Sequence, residues 1–306
     1  MIKLNDSIES TQFSYRGTFW LTILYAFLIF FIITPELFNW LHHLPSFFLD
    51  EEAFESLLTL LYDSGYGMPL DMLIFFIITI LLLLFTNKFI EQRTLHSIGI
   101  YKKGFLKFYI LGALFGTCLI LTIFAVIFVG KGYEVSFNDN FKVNVILAFL
   151  VAYIFQSFAE ELLFRGFIMN AIAGQKGVTL GIIINSILFV AFHLQNPGLD
   201  ILPIINLFIF GIIFSLLFYM TNSIWFVAGV HCLWNFMLGP ILGIQVSGIP
   251  IEESLLLTVT DQTNAIFNGD NFGLEGSIVT TGVGLIVVIV IIIVMAIKRR
   301  FVKHTF

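Results

Sequence analysis

An all-α, polytopic membrane protein with about eight transmembrane helices around a polar intramembrane cavity is the fold this sequence predicts, on three observations. Of its 306 residues 58% are apolar and only 11% charged, whereas soluble domains carry roughly a quarter charged residues. The apolar residues fall in blocks of about 20, long enough to cross a hydrocarbon core of roughly 30 Å as a helix, and not in the ten-residue alternation of a barrel. Lys and Arg gather on alternate connections between those blocks, as the retention of positive charge in the cytoplasm requires.

Taken in order, the expected spans are 17–35, 70–87, 105–129, 143–172, 178–194, 200–220, 223–241 and 277–297. The first is too long for the apolar region of a removable signal peptide and lacks a small-residue cleavage pattern after it, so it is expected to stay. The second closes on Lys88, and the third runs between the Lys102–Lys103 pair and Lys131. The fourth exceeds a simple span, and its second half, EELLFRGFIMNAI, carries three charged residues; such residues seldom face lipid, so it is expected to tilt or to line a cavity. The turn AGQKG, residues 173–177, leads into the fifth span, the break at Thr221 and Asn222 separates the sixth from the seventh, and the eighth ends on Lys298-Arg299-Arg300. Neither an internal repeat nor a soluble domain interrupts the pattern, so residues 1–306 read as one transmembrane domain.

With the N-terminus inside, thirteen of the fifteen Lys and Arg residues fall on or towards the cytoplasmic side, from Lys3 and Arg16 to Lys298, Arg299, Arg300 and Lys303, and only Lys131 and Lys142 fall outside. Both termini are therefore expected in the cytoplasm. The external segments 36–69 and 242–276 are long and acidic, and each is read as a connecting loop with room for a short amphipathic helix that lies on the membrane or covers an entrance. A net charge of −5 offers no basic stripe for nucleic acid. Cys118 and Cys232 sit in apolar runs without Cys/His clustering; they read as core thiols and support neither a disulfide framework nor a zinc ribbon. Trp20, Trp40 and Trp225 lie near expected interfaces, where aromatic side chains anchor spans.

Ionisable residues inside spans cost about 2.5–3.5 kcal/mol each on insertion scales, so they tend to be paired, to line a cavity or to do chemistry. Here they form three groups: Glu160, Glu161 and Arg165 in AEELLFRGF, His193 with Phe189 in FVAFH, and His231 with Asn235 in HCLWN. Glu161 and Arg165 are i and i+4 with the acid on the N-terminal side, the better orientation for a helical ion pair, and a structural role outweighs a catalytic one for them. Glu160 projects about 100° away and is free for another partner. His231 and Asn235 share a face, as do Phe189 and His193. The 173–177 turn is centred between Glu160 and His193, so in an antiparallel hairpin both stand roughly 24 Å from it and can meet. His231 and Asn235, roughly 14 to 20 Å from the break at 221–222, reach a neighbouring depth.

A carboxylate and an imidazole sharing one water can create a nucleophile, and nearby donors can stabilise the oxyanion formed from a peptide carbonyl. Glu160 and His193 suit the first task; His231 and Asn235 suit the second. No GxSxG elbow is present, Ser157 has no defined triad, and Cys232 points about 100° away from His231. Glu160, His193 and His231 could instead hold zinc with an open fourth position, although HExxH spacing is absent.

In order and spacing, Glu160-Glu161-x-x-x-Arg165, Phe189-x-x-x-His193 and His231-x-x-x-Asn235 resemble the motif set of the CAAX-protease and bacteriocin-processing family, also called Abi. The resemblance covers about residues 145–240. It implies a Glu-dependent intramembrane endopeptidase in which Glu160 and His193 activate water while His231 and Asn235 hold the oxyanion, with Glu161, Arg165 and Phe189 in support. Metal is not required on this reading, although the family has often been described as metalloproteases. The implied partners are the lipid bilayer and a peptide or membrane-protein substrate, lipidated in some members, and the family's spread points to a bacterial plasma membrane. Two rivals from other classes are a non-proteolytic scaffold or immunity protein and a transporter relaying protons through Glu160 and His193; inverted repeats would favour the transporter, and none is found.

Overall fold

Apolar blocks separated by short polar breaks must satisfy every backbone group within the segment that crosses lipid, which leaves helices as the elements of this bundle. The computed structural model describes residues 4–303. Lys3 lies outside the described residues, as do the side chains of Lys298, Arg299, Arg300 and Lys303. Helix α1, Asp6–Ser14, precedes the bundle, its first turn capped by the Asn5 side chain accepting from the Ile8 amide. The long apolar helices are α2 (Phe19–His42), α4 (Gly67–Ile90), α5 (Phe105–Val129), α6 (Val143–Lys176), α8 (Ile201–Thr221), α9 (Ile224–Ile241) and α10 (Ile278–Lys303), with α3 (Glu51–Asp63) between α2 and α4 and α7 (Val178–Phe192) between α6 and α8.

Seven of these are long and apolar enough to cross a membrane. The expected fifth span is the exception. Helix α7 has only 15 residues, about 22 Å at 1.5 Å per residue, which is less than a hydrocarbon core of roughly 30 Å. It stops at His193, so a site residue stands on a helix end and not on a helix face. The turn before α7 is also tighter than AGQKG suggests: α6 continues to Lys176, and Gly177 alone reverses the chain, at φ +92°. Only glycine takes that conformation without a steric penalty.

The external segments contain more than loops. Helix α3 is the expected amphipathic helix, capped by Asp50, whose carboxylate accepts from the Ala53 amide at 2.8 Å. The segment 242–276, read as a connecting loop with room for a short helix, holds one helical turn at Ala265–Asn268 and also contributes a strand. Residues Tyr133–Phe137 (β1) and Leu256–Thr260 (β2) pair antiparallel, with Tyr133 opposite Thr260 and Phe137 opposite Leu256. Both strands are short and rich in β-branched and aromatic residues, which favour a pleated surface. At the opposite end, α1 is tied down by Asn170, which donates to Ser7 Oγ and to the Ser97 carbonyl.

The helix that carries His231 and Asn235 is held unusually close to α5. A Cβ added at Gly112 would stand 2.0 Å from the Phe226 carbonyl oxygen, and one at Gly116 would stand 2.3 Å from that of Val230. Gly112 and Gly116 form a Gly-x-x-x-Gly pair, which lets two backbones approach where lipid supplies no hydrophobic drive for association. Gly116→Val is therefore expected to destabilise the protein by about 1–3 kcal/mol or more, seen as a lower melting temperature and loss of a monodisperse size-exclusion peak in detergent. Of the cysteines, Cys232 is buried as expected, whereas Cys118 is exposed on the outer face of α5. Trp20 and Trp40 are exposed, as interface anchors are, and the Trp225 indole donates to the Tyr101 carbonyl.

Candidate active site

The site is built where α6 changes pitch. After Glu161 the helix widens to i→i+5 bonding over Leu162–Met169, a local change often found at functional sites. Carbonyls of this stretch are met by a buried cation from the connection before α5: Arg93 donates to the carbonyls of Gly166 and Phe167, both at 3.2 Å, and is paired with Glu91 at 3.1 Å. The widened turn is thus pinned from outside the helix.

Glu161 is fully buried and accepts two hydrogen bonds on Oε1, from Arg165 at 3.0 Å and from His231 Nδ1 at 2.9 Å. The expected i,i+4 ion pair is present. The guanidinium of Arg165 also donates to the Gly211 carbonyl and lies 4.7 Å from the centroid of the Phe189 ring and 5.1 Å from that of Phe214. Phe189 therefore walls Arg165 in as well as packing on His193, with ring centroids 4.6 Å apart.

Glu160 faces elsewhere, as its position on the helix implies. Its Oε1 accepts from Gln156 at 3.1 Å, and its Oε2 lies 3.8 Å from His231 Nε2. His231 thus stands between the two carboxylates, its ring stacked on Phe214 at 5.3 Å. His193 places Nδ1 2.8 Å from the Phe189 carbonyl oxygen. A carbonyl can only accept, so Nδ1 carries a proton, and in the neutral ring Nε2 keeps its lone pair. Asn235 donates through Nδ2 to Gln156 Oε1 at 3.1 Å.

Gln156, absent from the sequence-based site, thus joins Asn235 to Glu160. Its signal was present: it lies one helical turn before Glu160 and shares its face, but an uncharged amide among apolar residues stands out less than an ion. Glu275 was missed for another reason. It lies 40 residues beyond Asn235 in a loop, yet its Oε1 accepts from the Trp234 indole at 2.8 Å, and its Oε2 accepts from Ser247 N at 2.6 Å and Ser247 Oγ at 2.9 Å. Asn196, just past His193, donates to the Ser247 carbonyl at 3.0 Å. The 242–276 segment is thereby fastened over the site.

Glu160, His193, His231 and Asn235 all line one cavity of about 240 Å³, with Gln156, Tyr153, Phe164 and Ser247 among its other walls. Glu160 and His193 share that space without a direct hydrogen bond between them among the described residues. Neither Glu160, His193 and His231 nor any other three His, Cys, Asp or Glu residues converge closely enough to hold a metal ion, among the described residues.

Residues 142–237 match the family described as Rce1-like, type II CAAX prenyl endopeptidase. Neither a curated protein nor a solved structure matches the chain. The matched segment contains Gln156, Glu160, Glu161, Arg165, Phe189, His193, His231 and Asn235; over that segment, less than half of its length, the chain is similar to the CAAX endopeptidase family of membrane proteins.

Proposed function

We propose that this protein is an intramembrane endopeptidase that hydrolyses a peptide bond with a water activated by Glu160 and His193. The observation that carries this reading is the opening of four polar side chains, from three successive parts of the chain, onto one cavity of about 240 Å³. A water there can donate to Glu160 and to the free Nε2 of His193. Glu160 takes its proton as the hydroxide oxygen bonds to the scissile carbonyl carbon, and the electron pair of the C=O bond moves to oxygen.

The oxyanion is held by the second N–H of the Asn235 amide, the first being given to Gln156, and by Nε2–H of His231 in its protonated form, with Nδ1–H committed to Glu161. Collapse of the tetrahedral intermediate breaks the C–N bond, and Glu160 returns its proton to the leaving amine. The products are a carboxylate and an amine. Glu161, Arg165 and Phe189 keep His231 and His193 in place. On this reading the catalytic core is about 145–240 within one transmembrane domain, both termini are cytoplasmic, and the chemistry needs no metal.

Purified full-length protein in detergent, offered a quenched peptide library, tests the proposal. His193→Ala is expected to lower turnover by about 10²-fold or more, and a metal chelator is expected to leave the wild-type rate unchanged. Loss of activity with chelator, restored by zinc, would replace the water mechanism with a metal-based one. Absence of cleavage, with the variant still functional in cells, would favour a scaffold.

A further inference from the structure

Which face of the membrane the cavity opens to is decided by the ends of the helices that line it. Helix α1, the connection 91–104, the Gly177 turn and the break at 221–222 lie together, as shown by the bonds from Asn170 to Ser7 and Ser97, from Ser7 N to Asn222, and from Asn222 to Tyr101. Helix α10 starts beside the N-terminal end of α8, where Asn206 donates to the Ser277 carbonyl, and later packs beside Leu217 and Met220 near the other end of α8. Both ends of the described residues, Leu4 and Lys303, therefore approach one end of the bundle.

The cavity belongs to the other end. Beyond its catalytic walls it is bounded by Met68 and Met72 at the start of α4, by Asn196 after α7, and by Ser247, Ile249 and Ile251 in the roof segment. No residue from 91–104, 170–177 or 221–223 lines it. The two ends differ sharply in charge. Among the described residues the cavity end has only Lys131 and Lys142 as Lys or Arg, and Lys142 is paired with Glu253 at 3.2 Å. Fifteen of the twenty Asp and Glu residues lie in its segments 36–71, 130–142, 194–200 and 242–276. Such a distribution places the cavity end outside, because Lys and Arg are retained in the cytoplasm.

We infer that the cavity is entered from the extracytoplasmic face, between Met68 and Met72 of α4 and Ile249 and Ile251 of the roof, and that it receives an apolar peptide segment flanked by basic residues. The first half follows from the ends of the helices. The second half rests on the proteolytic reading above and on the lining: Met68, Met72, Phe76, Ile249 and Ile251 offer an apolar wall with adaptable thioethers, suited to apolar side chains of differing shape. Around this wall the net negative charge of the outer segments steers a cationic chain inward and raises its local concentration, an attraction that salt screens.

Cysteine accessibility tests the entrance without relying on cleavage. Ile249→Cys is expected to react with a membrane-impermeant maleimide in intact cells producing the full chain, and Lys176→Cys only after permeabilisation, with the unsubstituted protein as blank for Cys118 and Cys232. The reverse pattern, or an Ile249→Cys that stays unreactive after permeabilisation, would overturn the entrance. A synthetic apolar peptide with Lys at both ends is expected to protect Ile249→Cys in the solubilised protein at a concentration at least tenfold lower than its Glu-ended counterpart, with the gap narrowing in high salt. Equal protection would overturn the substrate class. Protection and outward labelling with no cleavage of either peptide would leave the entrance and the ligand standing and defeat the proteolytic reading alone.

Discussion

Glu160→Gln is expected to lower kcat/KM by about 10²–10⁴-fold, the usual range for loss of a general acid–base group, while the protein keeps its melting temperature. The substitution preserves shape, and the amide oxygen can still accept from Gln156, which now bonds Glu160 Oε1 at 3.1 Å. What disappears is the proton acceptor beside the cavity and the negative charge 3.8 Å from His231 Nε2. Single-turnover cleavage of the best library peptide, with thermal unfolding measured in the same detergent, separates chemistry from folding. A fall of less than tenfold with unchanged stability would remove Glu160 as the base and pass the role to His193.

Arg165→Met is expected to be the most damaging substitution for folding, costing about 3–5 kcal/mol, as breaking a buried pair from one side does. Arg165 and Glu161 are both fully buried, and without the guanidinium the Glu161 carboxylate would keep only the hydrogen bond from His231 Nδ1 among the bonds it now accepts. The double variant Glu161→Gln/Arg165→Met removes both charges and is expected to recover much of the lost stability, because the penalty lies in the unpaired charge more than in the absent bond. Activity should not recover in parallel, since Glu161 also orients His231 through Nδ1. Equal destabilisation in the single and double variants would mean that the packing of Arg165 among Phe164, Phe189 and Phe214, and not its charge, holds this part of the bundle.

The two variants also bear on the division of labour between adjacent glutamates. One helical residue apart, they point about 100° away from each other, and the structure gives each a different environment. Glu161 is enclosed and held by a cation and an imidazole; Glu160 borders the cavity with only an amide donor on Oε1. The sequence predicts the divergence and, from the i,i+4 spacing of Glu161 and Arg165, which carboxylate is left for the cavity; that Glu161 also meets His231 depends on the rotation of α6 relative to α9.

Much of the architecture was legible because lipid leaves the backbone few choices. Block length, apolar composition and the alternation of Lys and Arg placed most helices to within a few residues, although α2 runs to His42, seven residues beyond its expected end, and the i,i+4 spacing of Glu161 and Arg165 foretold their contact, since it follows from the period of a single helix. The midpoint of Glu160 and His193 fell at Gly177 for the same reason: two helices joined by a tight turn keep equal residue counts at equal depth. The same arithmetic could not show that α7 ends at His193, nor that the Phe189 carbonyl would fix its tautomer.

What the sequence by itself determined, then, is the set of helices, their order and the three polar groups that belong inside the membrane. Tertiary structure alone decided which of those groups touch, that Gln156 and Glu275 join them, and that the cavity lies at the end opposite the termini. The physical reason is range. Helical periodicity acts over a few residues, whereas the approach of α9 to α5 through Gly112 and Gly116, and the anchoring of Ser247 by Glu275, depend on surfaces brought together from distant parts of the chain.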